Sequence, residues 1–458
     1  MIENDAFKLL LINLFHLNPD DITNIVCTTF NKMMVLIVTL ADKHQACPYC
    51  GFTAPKIKEY VTKEITHSAL TTQKCIIKYR ARRYKCPCCG KTYYEFNPFV
   101  FKSQKISILT VHNILKDLKD FNETFTSVAR RYHVSPTSVS TIFDNHVDIG
   151  RNPLPEIINF DEVYAFKSEK SKYVCVLLDF KKQIPVDVLP NRKKEFLLNY
   201  FQKIPLEERK KVKYACSDMY EVYRDVVHKV FPEAKHLLDY FHLSQDFHKK
   251  MNEVRIKVMK GYKDNKASDE YYLLKKFNWL LFKNPEDEDK YGRLFDVERE
   301  RKYNSHFKSY MNYYDLRKKL LEINNDLTIC YSLKLELVDF YSKSTIDNAK
   351  VNLENLIRSF IDTNIEEMIK FSNNLINWKQ EIINSFTIVG AEYKVEADKG
   401  QVVVCNKKVN NAIIENRNKI IKCIKNNANG YTNWSRFRNR VMYVLDPSAT
   451  FSLEPREK

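Results

Sequence analysis

A short apolar stretch with an acidic residue inside it, Ile157–Tyr164, constrains the fold of this chain more than any other feature. It follows two prolines, Pro153 and Pro155, which interrupt regular structure. Burying an unpaired carboxylate inside a strand is costly because the group loses its hydration. Asp161 therefore predicts a cation beside it, whereas Glu162 should point to the opposite face of the strand.

Strand-like and helical segments follow this stretch in a definite order. Runs at 157–166, 173–180 and 184–189 predict three strands, 194–201 predicts a helix, and 213–216 predicts a further strand. Three strands in a meander, then a helix and another strand, is the order of a ribonuclease-H-like core. Metal-binding acids in such a core lie on the first strand and just after the fourth, which here means Asp161 and Asp218.

Two residues where a predicted fifth strand runs into a helix leave two interpretations open. Asp239 and His242 either reach the metals or the scissile phosphate, or they only cap the helix that follows. The segment from about 247 to 385 then has an almost wholly helical pattern. A short hairpin is expected from Ile388 to Cys405.

A late helix predicted at Val409–Ile424 carries a further acid, Glu415. A lone Glu on a basic helix is usually surface charge. Here the basic side chains on the same helix would draw a phosphate backbone towards the carboxylate. The DNA-contacting candidates on this helix are Arg417, Lys419 and Lys422.

Two C-x-x-C pairs, Cys47/Cys50 and Cys86/Cys89, predict a zinc ribbon. A glycine follows each pair, and a β-rich stretch separates the pairs. Four thiolates complete a tetrahedron with no open position, so the metal should be structural. Cys88 is then a spare thiol, and the alternative is that these are unrelated buried cysteines. The scattered remaining cysteines indicate a reducing compartment.

The second half of the predicted ribbon is basic and aromatic. Residues two apart in a strand share a face, so Lys78, Arg80 and Arg82 would form a row suited to DNA phosphates, with Arg83 beside them. A solvated strand face would give the same pattern.

A helix-turn-helix is indicated between residues 106 and 143. Ser135 is expected to cap its second helix, with Pro136 at the first helical position. Thr137, Ser138 and Thr141 would then face the major groove of DNA. The alternative is an ordinary helical hairpin in a core.

The totals set the class of protein. At 458 residues, with 44% hydrophobic and 29% charged residues, the chain is globular and long enough for two to four domains. A formal net charge of +17 favours a polyanionic partner. No run reaches about 18 apolar residues and the start lacks the features of a signal peptide, so we expect a soluble intracellular protein without membrane contact.

The changes of pattern divide the chain into six predicted segments. They are an N-terminal region with the zinc ribbon (1–98), a helix-turn-helix (99–150), a first part of the core (151–246), a helical insertion (247–404), a final core helix (405–446) and a tail (447–458). The expected fold class is therefore multidomain α/β, with a ribonuclease-H-like core interrupted by an all-α insertion.

The sequence resembles insertion-sequence transposases of the ISL-three family along nearly its full length. The shared motifs, in order, are CPYCG, RYKCPCCGKTY, VARRYHVSPTSVSTIF, NFDEVYAFK, ACSDMYEVY, LLDYFHL, LLFKNPED and NNAIIENRNKIIKCIKNNANGYTNWSRFRNRV. The resemblance implies an acidic triad at Asp161, Asp218 and Glu415 and zinc ligands at the four ribbon cysteines. One departure is Asn416, because the family usually has Gly directly after the catalytic Glu.

The resemblance implies metal-dependent DNA cleavage and strand transfer. Asp161 would bridge two Mg²⁺ (or Mn²⁺) ions, with Asp218 and Glu415 each completing one shell. A 3′-hydroxyl freed at the element end would then attack target DNA. The implied partners are the terminal inverted repeats, the target DNA and a second protomer on the DNA, in the nucleoid-associated cytoplasm of a bacterium.

Two other functions fit the same motifs. A DNA-binding regulator would keep the ribbon and the helix-turn-helix on an inactive core. A hydrolytic nuclease would cut nucleic acid without joining it to a second DNA. There is no P-loop and no Gly-rich dinucleotide fingerprint, which argues against nucleotide hydrolysis.

Overall fold

The computed structural model describes residues 2–43, 45–101, 104–166, 171–395 and 402–456. Within these ranges the protein is a mixed α/β structure with several sheets and many helices. None of the helices described is both long and apolar enough to cross a lipid bilayer.

The N-terminal region is a five-stranded sheet covered by one helix. Strands β1 and β2 form an antiparallel hairpin, β2 pairs in parallel with β4, and β4 also pairs with β3 and β5. Apolar side chains of the helix and of the turn after it, including Ile12 and Phe15, pack on Leu36 and Ile77 of the sheet. The elements are α1 (Ile2–Leu14), β1 (Ile22–Phe30), β2 (Met33–Leu40), β3 (Lys56–Thr66), β4 (Cys75–Lys85) and β5 (Thr92–Tyr94).

Three short helices follow, α2 (Ile108–Asp117), α3 (Phe125–Arg131) and α4 (Pro136–His146). The predicted start of α4 is confirmed, since the Ser135 side chain accepts from the Ser138 N–H and Pro136 is the first helical residue. His133 makes the turn between α3 and α4 with a φ of 54°. Ala129 is buried where the helices pack together.

The second sheet has the order β10-β9-β6-β7-β8. Its first three strands in the chain form an antiparallel meander, whereas β9 and β10 run parallel to β6. The strands β6, β7 and β8 are almost continuously buried, which requires helices on both faces. The strands are β6 (Ile157–Val163), β7 (Val174–Asp179), β8 (Pro185–Leu189), β9 (Tyr214–Ser217) and β10 (Lys235–Leu238).

Helices from distant parts of the chain cover the two faces of this sheet. One face packs on a cluster that includes Leu197, from the helix at 194–202, and Val226, from the helix at 221–230. The other face packs on Ile421, from the helix at 412–427, and Phe437, from the helix at 434–445. The covering helices are α5 (Lys194–Gln202), α6 (Leu206–Arg209), α7 (Glu221–Val230), α15 (Ala412–Asn427) and α16 (Trp434–Leu445).

Between β10 and α15 lies a large helical region with its own hydrophobic cluster. Its helices are α8 (Tyr240–Lys260), α9 (Asp269–Lys276), α10 (Tyr313–Glu322), α11 (Asn325–Lys343), α12 (Ala349–Ile361), α13 (Glu366–Asn377) and α14 (Lys379–Asn384). A two-stranded sheet, β15 (Ile388–Val395) and β16 (Val402–Lys408), follows. It agrees with the predicted hairpin, although residues 396–401 lie outside the described residues.

The expectation of an all-α insertion is wrong between residues 288 and 311. Two small hairpins occur there, β11 (Glu288–Asp289) with β12 (Gly292–Arg293), and β13 (Lys302–Asn304) with β14 (Ser309–Met311). Pro285 removes a backbone donor ahead of the first hairpin, and Gly292 adopts a φ of 98° that other residues rarely tolerate.

Helix α16, which the sequence analysis did not anticipate, joins the three short helices to the second sheet. Arg440 is 1% exposed and donates to the carbonyl oxygens of Asp120 and Glu123 at 2.9 and 2.7 Å. The Tyr443 hydroxyl donates to Leu115 O at 3.0 Å, and Arg436 pairs with Asp144 of α4 at 2.6 Å. These contacts fix the orientation of the three-helix unit against the sheet.

Candidate active site

Asp161 lies on the central strand of the second sheet, with its side chain towards α15. Asn418 Nδ2 donates to its Oδ2 at 2.8 Å, and the Glu162 N–H donates to its Oδ1 at 2.7 Å. Asp161 is only 9% exposed. Burial raises the pKa of Asp161 to about 7, and the negative charge of Asp218 contributes in the same direction. No cation among the described side chains pairs with this carboxylate.

Asp218 follows directly after β9, the parallel neighbour of β6. Extending the register that pairs Asn159 with Cys216 brings Asp218 level with Asp161. Its Oδ1 is buried and has no hydrogen-bond partner within the described ranges. Burial raises the pKa of Asp218 to about 7, helped by the charge of Glu162 and opposed by Arg192. Asp161 and Asp218 are therefore level with each other on neighbouring strands, and neither carboxylate forms an ion pair among the described residues.

Glu415 lies in the first turn of α15, the helix that packs on β6. Asn418, which donates to Asp161, lies three residues further on and so shares a face of the helix with Glu415. The Glu415 Oε1 lies 3.8 Å from His242 Nε2. The third predicted acid is thus on a helix that is hydrogen-bonded directly to the first.

A buried cluster of amides holds the start of α15 against β6. Asn159 Nδ2 donates to Asn411 Oδ1 at 2.7 Å and to Asn410 O at 2.8 Å. Asn411 Nδ2 donates to Phe160 O at 3.2 Å. Asn159 and Asn411 are fully buried, so these bonds are well shielded from water. They position a helix that lies some 250 residues later in the chain.

Of the two interpretations that the sequence left open for Asp239 and His242, the helix cap is observed for Asp239, and the role at the metals or the scissile phosphate stays a prediction. Asp239 is the N-cap of α8, where it accepts from the Phe241 N–H at 3.4 Å. His242 Nε2 also lies 3.9 Å from Asp239 Oδ2. Single ligand atoms of Asp239, His242 and Glu415 lie within 4.8 Å of one another, a spacing that a metal ion can close. Burial raises the pKa of Asp239.

A cleft opens beside this acidic group. Its lining includes Asp218 and His242 together with Gln245, Asp246 and Lys249 from the next turns of α8. The cleft exposes one side of Asp218, and Lys249 adds a positive charge to its lining.

Glu162 points to the other face of β6, as the strand alternation predicts. It pairs with Arg192, and the Tyr223 hydroxyl donates to it at 3.2 Å. The Arg192 guanidinium also lies 4.5 Å from the ring centre of Tyr220. Glu162 is therefore already neutralised by a protein cation.

The four ribbon cysteines come together. Sγ atoms lie 3.7 Å apart for Cys47 and Cys89 and 3.5 Å apart for Cys50 and Cys86. A zinc tetrahedron with Zn–S bonds of about 2.3 Å has edges of about 3.8 Å, so the spacing fits zinc. The glycines after the pairs, Gly51 and Gly90, adopt φ values of 75° and 70° and close the two turns. Cys88 is exposed and outside the group.

The basic row predicted on β4 is broken. Arg82 turns inwards, with a side chain 15% exposed that pairs with Glu95 at 2.7 Å and donates to Leu40 O at 3.1 Å. The expectation of an outward-facing Arg82 is therefore wrong, because its guanidinium forms an ion pair with Glu95 and donates hydrogen bonds to two carbonyl oxygens. Arg83 pairs with Glu59 at 2.7 Å, whereas Arg80 is exposed and lies over the ring of Tyr60.

The predicted groove-facing residues on α4 differ in their exposure. Thr137 and Thr141 are exposed, whereas Ser138 is half-buried and tied to the cap, with its hydroxyl 2.8 Å from Ser135 Oγ. On α15, Lys419 and Lys422 are exposed. Arg417 donates to Gln183 O at 3.1 Å.

Three asparagines at this site, Asn159, Asn411 and Asn418, were not anticipated from the sequence. The argument that singled out Asp161, a polar residue inside an apolar strand, applies equally to Asn159. The spacing of three residues between Glu415 and Asn418 is also visible in the sequence. No sequence signal identified Asn411, because its partner Asn159 is so distant along the chain.

Comparison of the sequence with known proteins identifies the family of this chain. The sequence model of the ISL3 family of DDE transposases, described as "Transposase", matches residues 158–391, more than half of the chain. The chain is also 19% identical, over 409 residues, to the transposase for insertion sequence element IS1001 of Bordetella parapertussis. That similarity covers 89% of this chain and 90% of the relative. This chain belongs to the ISL3 family of insertion-sequence transposases.

Proposed function

We propose that this transposase cuts and joins DNA through Asp161, Asp218 and Glu415, which together hold divalent cations. What supports the proposal is that Asp161 lies on β6, Asp218 follows the neighbouring strand β9, and Glu415 lies on α15, the helix that is hydrogen-bonded to Asp161. Both aspartates have raised pKa values, and no ion pair to either carboxylate occurs among the described residues. This imbalance is what a bound cation would relieve.

A ribonuclease-H-like core interrupted by a helical insertion is part of the proposal. In its support, the second sheet combines an antiparallel meander of β6, β7 and β8 with two further strands parallel to β6. The helical region between β10 and α15 has a hydrophobic cluster of its own, which supports assigning it as an insertion. The six predicted segments remain the proposed domain division.

The donor set suits Mg²⁺ or Mn²⁺. These ions prefer oxygen ligands and keep several waters, which leaves room for phosphate oxygens. When bound, they would supply stabilisation of the attacking and leaving oxygens of the phosphodiester. Asn418 would hold the Asp161 carboxylate in place, and the amide cluster would keep Glu415 within reach. The cleft beside Asp218 and His242 would admit the strand to be cut.

Elements outside the proposed active site would bind the DNA. Exposed Thr137 and Thr141 on α4 are the proposed base-contacting residues, while Arg80 and exposed Lys419 and Lys422 are the proposed phosphate contacts. Helix α16 would keep the helix-turn-helix in register with the active site. Because two element ends must be paired, the active form is proposed to be a homodimer on DNA, acting in the cytoplasm.

The test is cleavage of labelled element-end DNA, taken from the sequence flanking the coding region, in Mg²⁺ or Mn²⁺. We expect Asp161→Asn, Asp218→Asn and Glu415→Gln each to lower cleavage about a thousand-fold or more, because each removes a cation ligand. Binding of the same DNA should persist in a gel-shift assay. Asp264→Asn, at an exposed position, is the matched control and should leave cleavage unchanged.

Each alternative outcome would indicate a different function for this protein. Robust cleavage by any one of the three variants would remove that residue from the mechanism. Binding without nicking by the unaltered protein would indicate a regulator on an inactive core. Nicking without joined products, when target DNA is present, would indicate a hydrolytic nuclease.

A further inference from the structure

A second group of metal-binding side chains lies away from the acidic triad. His228 on α7, His236 on β10 and Glu381 on α14 bring one ligand atom each within 4.8 Å of the others. His228 Nε2 and His236 Nδ1 both lie 4.0 Å from Glu381 Oε1. Two imidazoles and a carboxylate are a common ligand set for zinc.

One ring nitrogen of His236 is occupied by a neighbour and the other is not. Ser217 Oγ lies 2.9 Å from His236 Nε2. His236 Nδ1 is buried without a hydrogen-bond partner in the described part of the chain, and it lies 4.0 Å from Glu381 Oε1. Nδ1 is therefore the ring nitrogen that is available to a metal ion.

The Glu381 carboxylate has no other cation to balance it. It is 5% exposed, and among the described residues only these two histidines lie within ion-pair distance of it. Burial lowers the pKa of His236 to about 3, so this ring is neutral. The nearby Arg224 is engaged elsewhere, because it donates to Asn377 O at 2.9 Å and lies over the ring of Trp378.

We propose that His228, His236 and Glu381 bind a divalent transition-metal ion of the zinc type. Ligand atoms around such an ion lie about 3.4 Å apart, so the observed 4.0 Å distances need only small side-chain movements. His228 is exposed, which leaves the fourth position to water. The site is separate from the ribbon cysteines and from the acidic triad.

The position of the site gives it a structural role. His228 belongs to a helix that covers the second sheet, and His236 belongs to a strand of that sheet. Glu381 belongs to the last helix of the helical region. Asn384, on the same helix as Glu381, also donates to His236 O at 2.9 Å. A metal ion here connects the end of the helical region to the edge strand β10. Because Ser217 Oγ contacts both His236 Nε2 and Asp218 O, the same ion also stabilises the backbone at Asp218.

The experiment counts tightly bound zinc in the full-length protein and in single variants. His228→Gln is the main variant, because this side chain is exposed and its loss should not disturb folding. We expect it, and Glu381→Gln, to bind one zinc ion fewer per chain than the unaltered protein. Cys50→Ser should lose a different ion and retain this one. His16→Gln, at an exposed histidine of the N-terminal region, should lose none.

Cobalt substitution provides a second readout. Carried out in a His242→Gln background, it should give visible bands without thiolate charge transfer that disappear on adding His228→Gln, while the ribbon's charge-transfer band remains. Zinc should also raise the melting temperature of the Cys50→Ser protein but not that of Cys50→Ser/His228→Gln. Equal zinc content in the unaltered protein and His228→Gln, with identical cobalt spectra, would overturn the proposal.

Discussion

The four ribbon cysteines and the three predicted active-site acids are both candidate metal ligands, but they are assembled in opposite ways. Each cysteine pair is held by a turn of a few residues, in which Gly51 N and Gly90 N donate to Cys47 O and Cys86 O at 2.9 Å. The acids instead depend on sheet register and on a helix from the far end of the chain. Local geometry positions the cysteines, whereas tertiary structure must position the acids.

The two groups also differ in what surrounds them. The ribbon thiols enclose a site with no open position, which suits a structural ion. Asp218 lines a cleft, Asp161 and Asp218 have raised pKa values, and Asp218 Oδ1 has no hydrogen-bond partner among the described residues. The difference indicates that one metal would be retained for folding, whereas the other ions would be exchanged together with substrate.

The largest expected effect concerns the ribbon. Cys50→Ser should unfold the region around residues 45–95, because structural zinc contributes on the order of 10 kcal/mol to folding such segments. Cys88→Ser is the matched control and should leave zinc content and protection unchanged. Hydrogen exchange of this region reports both variants. Loss of zinc from the Cys88 variant would show that the second knuckle uses a different ligand.

The acidic group should make stability depend on pH in the metal-free protein. The pKa values of Asp161 and Asp218 are about 7 when folded and near 3.8 when unfolded, so the folded state binds protons more tightly. The stability that these two groups contribute should be greatest below about pH 3.8 and should be lost, by a few kcal/mol, as pH rises to about 7.

Urea unfolding at several pH values measures this slope. Saturating Mg²⁺ should reduce it, because a bound cation replaces the proton as the partner of the carboxylates. Asp161→Asn should also flatten it. A slope that Asp161→Asn and Asp218→Asn leave untouched would assign the titration to other groups.

A smaller effect is expected from the amide cluster that carries Glu415 to the site. Asn411→Ala removes one of the two acceptors of Asn159 Nδ2 and the side-chain donor to the Phe160 carbonyl, which should cost about 1–3 kcal/mol of stability. Cleavage should fall as well, since the start of α15 loses its attachment to β6. Asn426→Ala, exposed near the other end of α15, is the control. Equal cleavage by both variants would show that packing alone positions the helix.

The smallest effect on stability is expected at Asn416, where the family usually has glycine. Asn416 is exposed inside α15, where a glycine would lower helix propensity by a few tenths of a kcal/mol. Asn416→Gly should therefore reduce the melting temperature slightly and leave cleavage unchanged. A clear gain in cleavage would mean that Asn416 obstructs DNA beside Glu415.

The sequence was most informative where the determinants of structure are local. Cysteine spacing predicted the four-sulfur group, and Ser135 with Pro136 predicted the start of α4. The alternation of β6 placed Asp161 and Glu162 on opposite faces. The grouping of Glu415 with the aspartates came from resemblance to a family, because no local pattern brings a helix from position 415 to a strand at position 161.

Other features depended on partners that no local pattern reveals. Arg82 lies in a row of basic residues, yet Glu95 and two carbonyl oxygens draw it inwards. The small hairpins near Gly292 interrupt a segment whose composition predicts helix. Helix α16 was missed although its buried Arg440 joins two structural units. Long-range contacts decided the positions of Arg82 and Arg440, whereas the hairpins reflect the local effects of Pro285 and Gly292.

The most direct test of the central claim is Mn²⁺ binding measured by electron paramagnetic resonance. The protein would carry His228→Gln, to remove the second proposed site, and would be bound to pre-cleaved element-end DNA. We predict that Asp161→Asn, Asp218→Asn and Glu415→Gln each weaken Mn²⁺ binding about tenfold or more. Unchanged Mn²⁺ affinity in the Glu415→Gln protein would contradict the claim that the three acids hold the same cations.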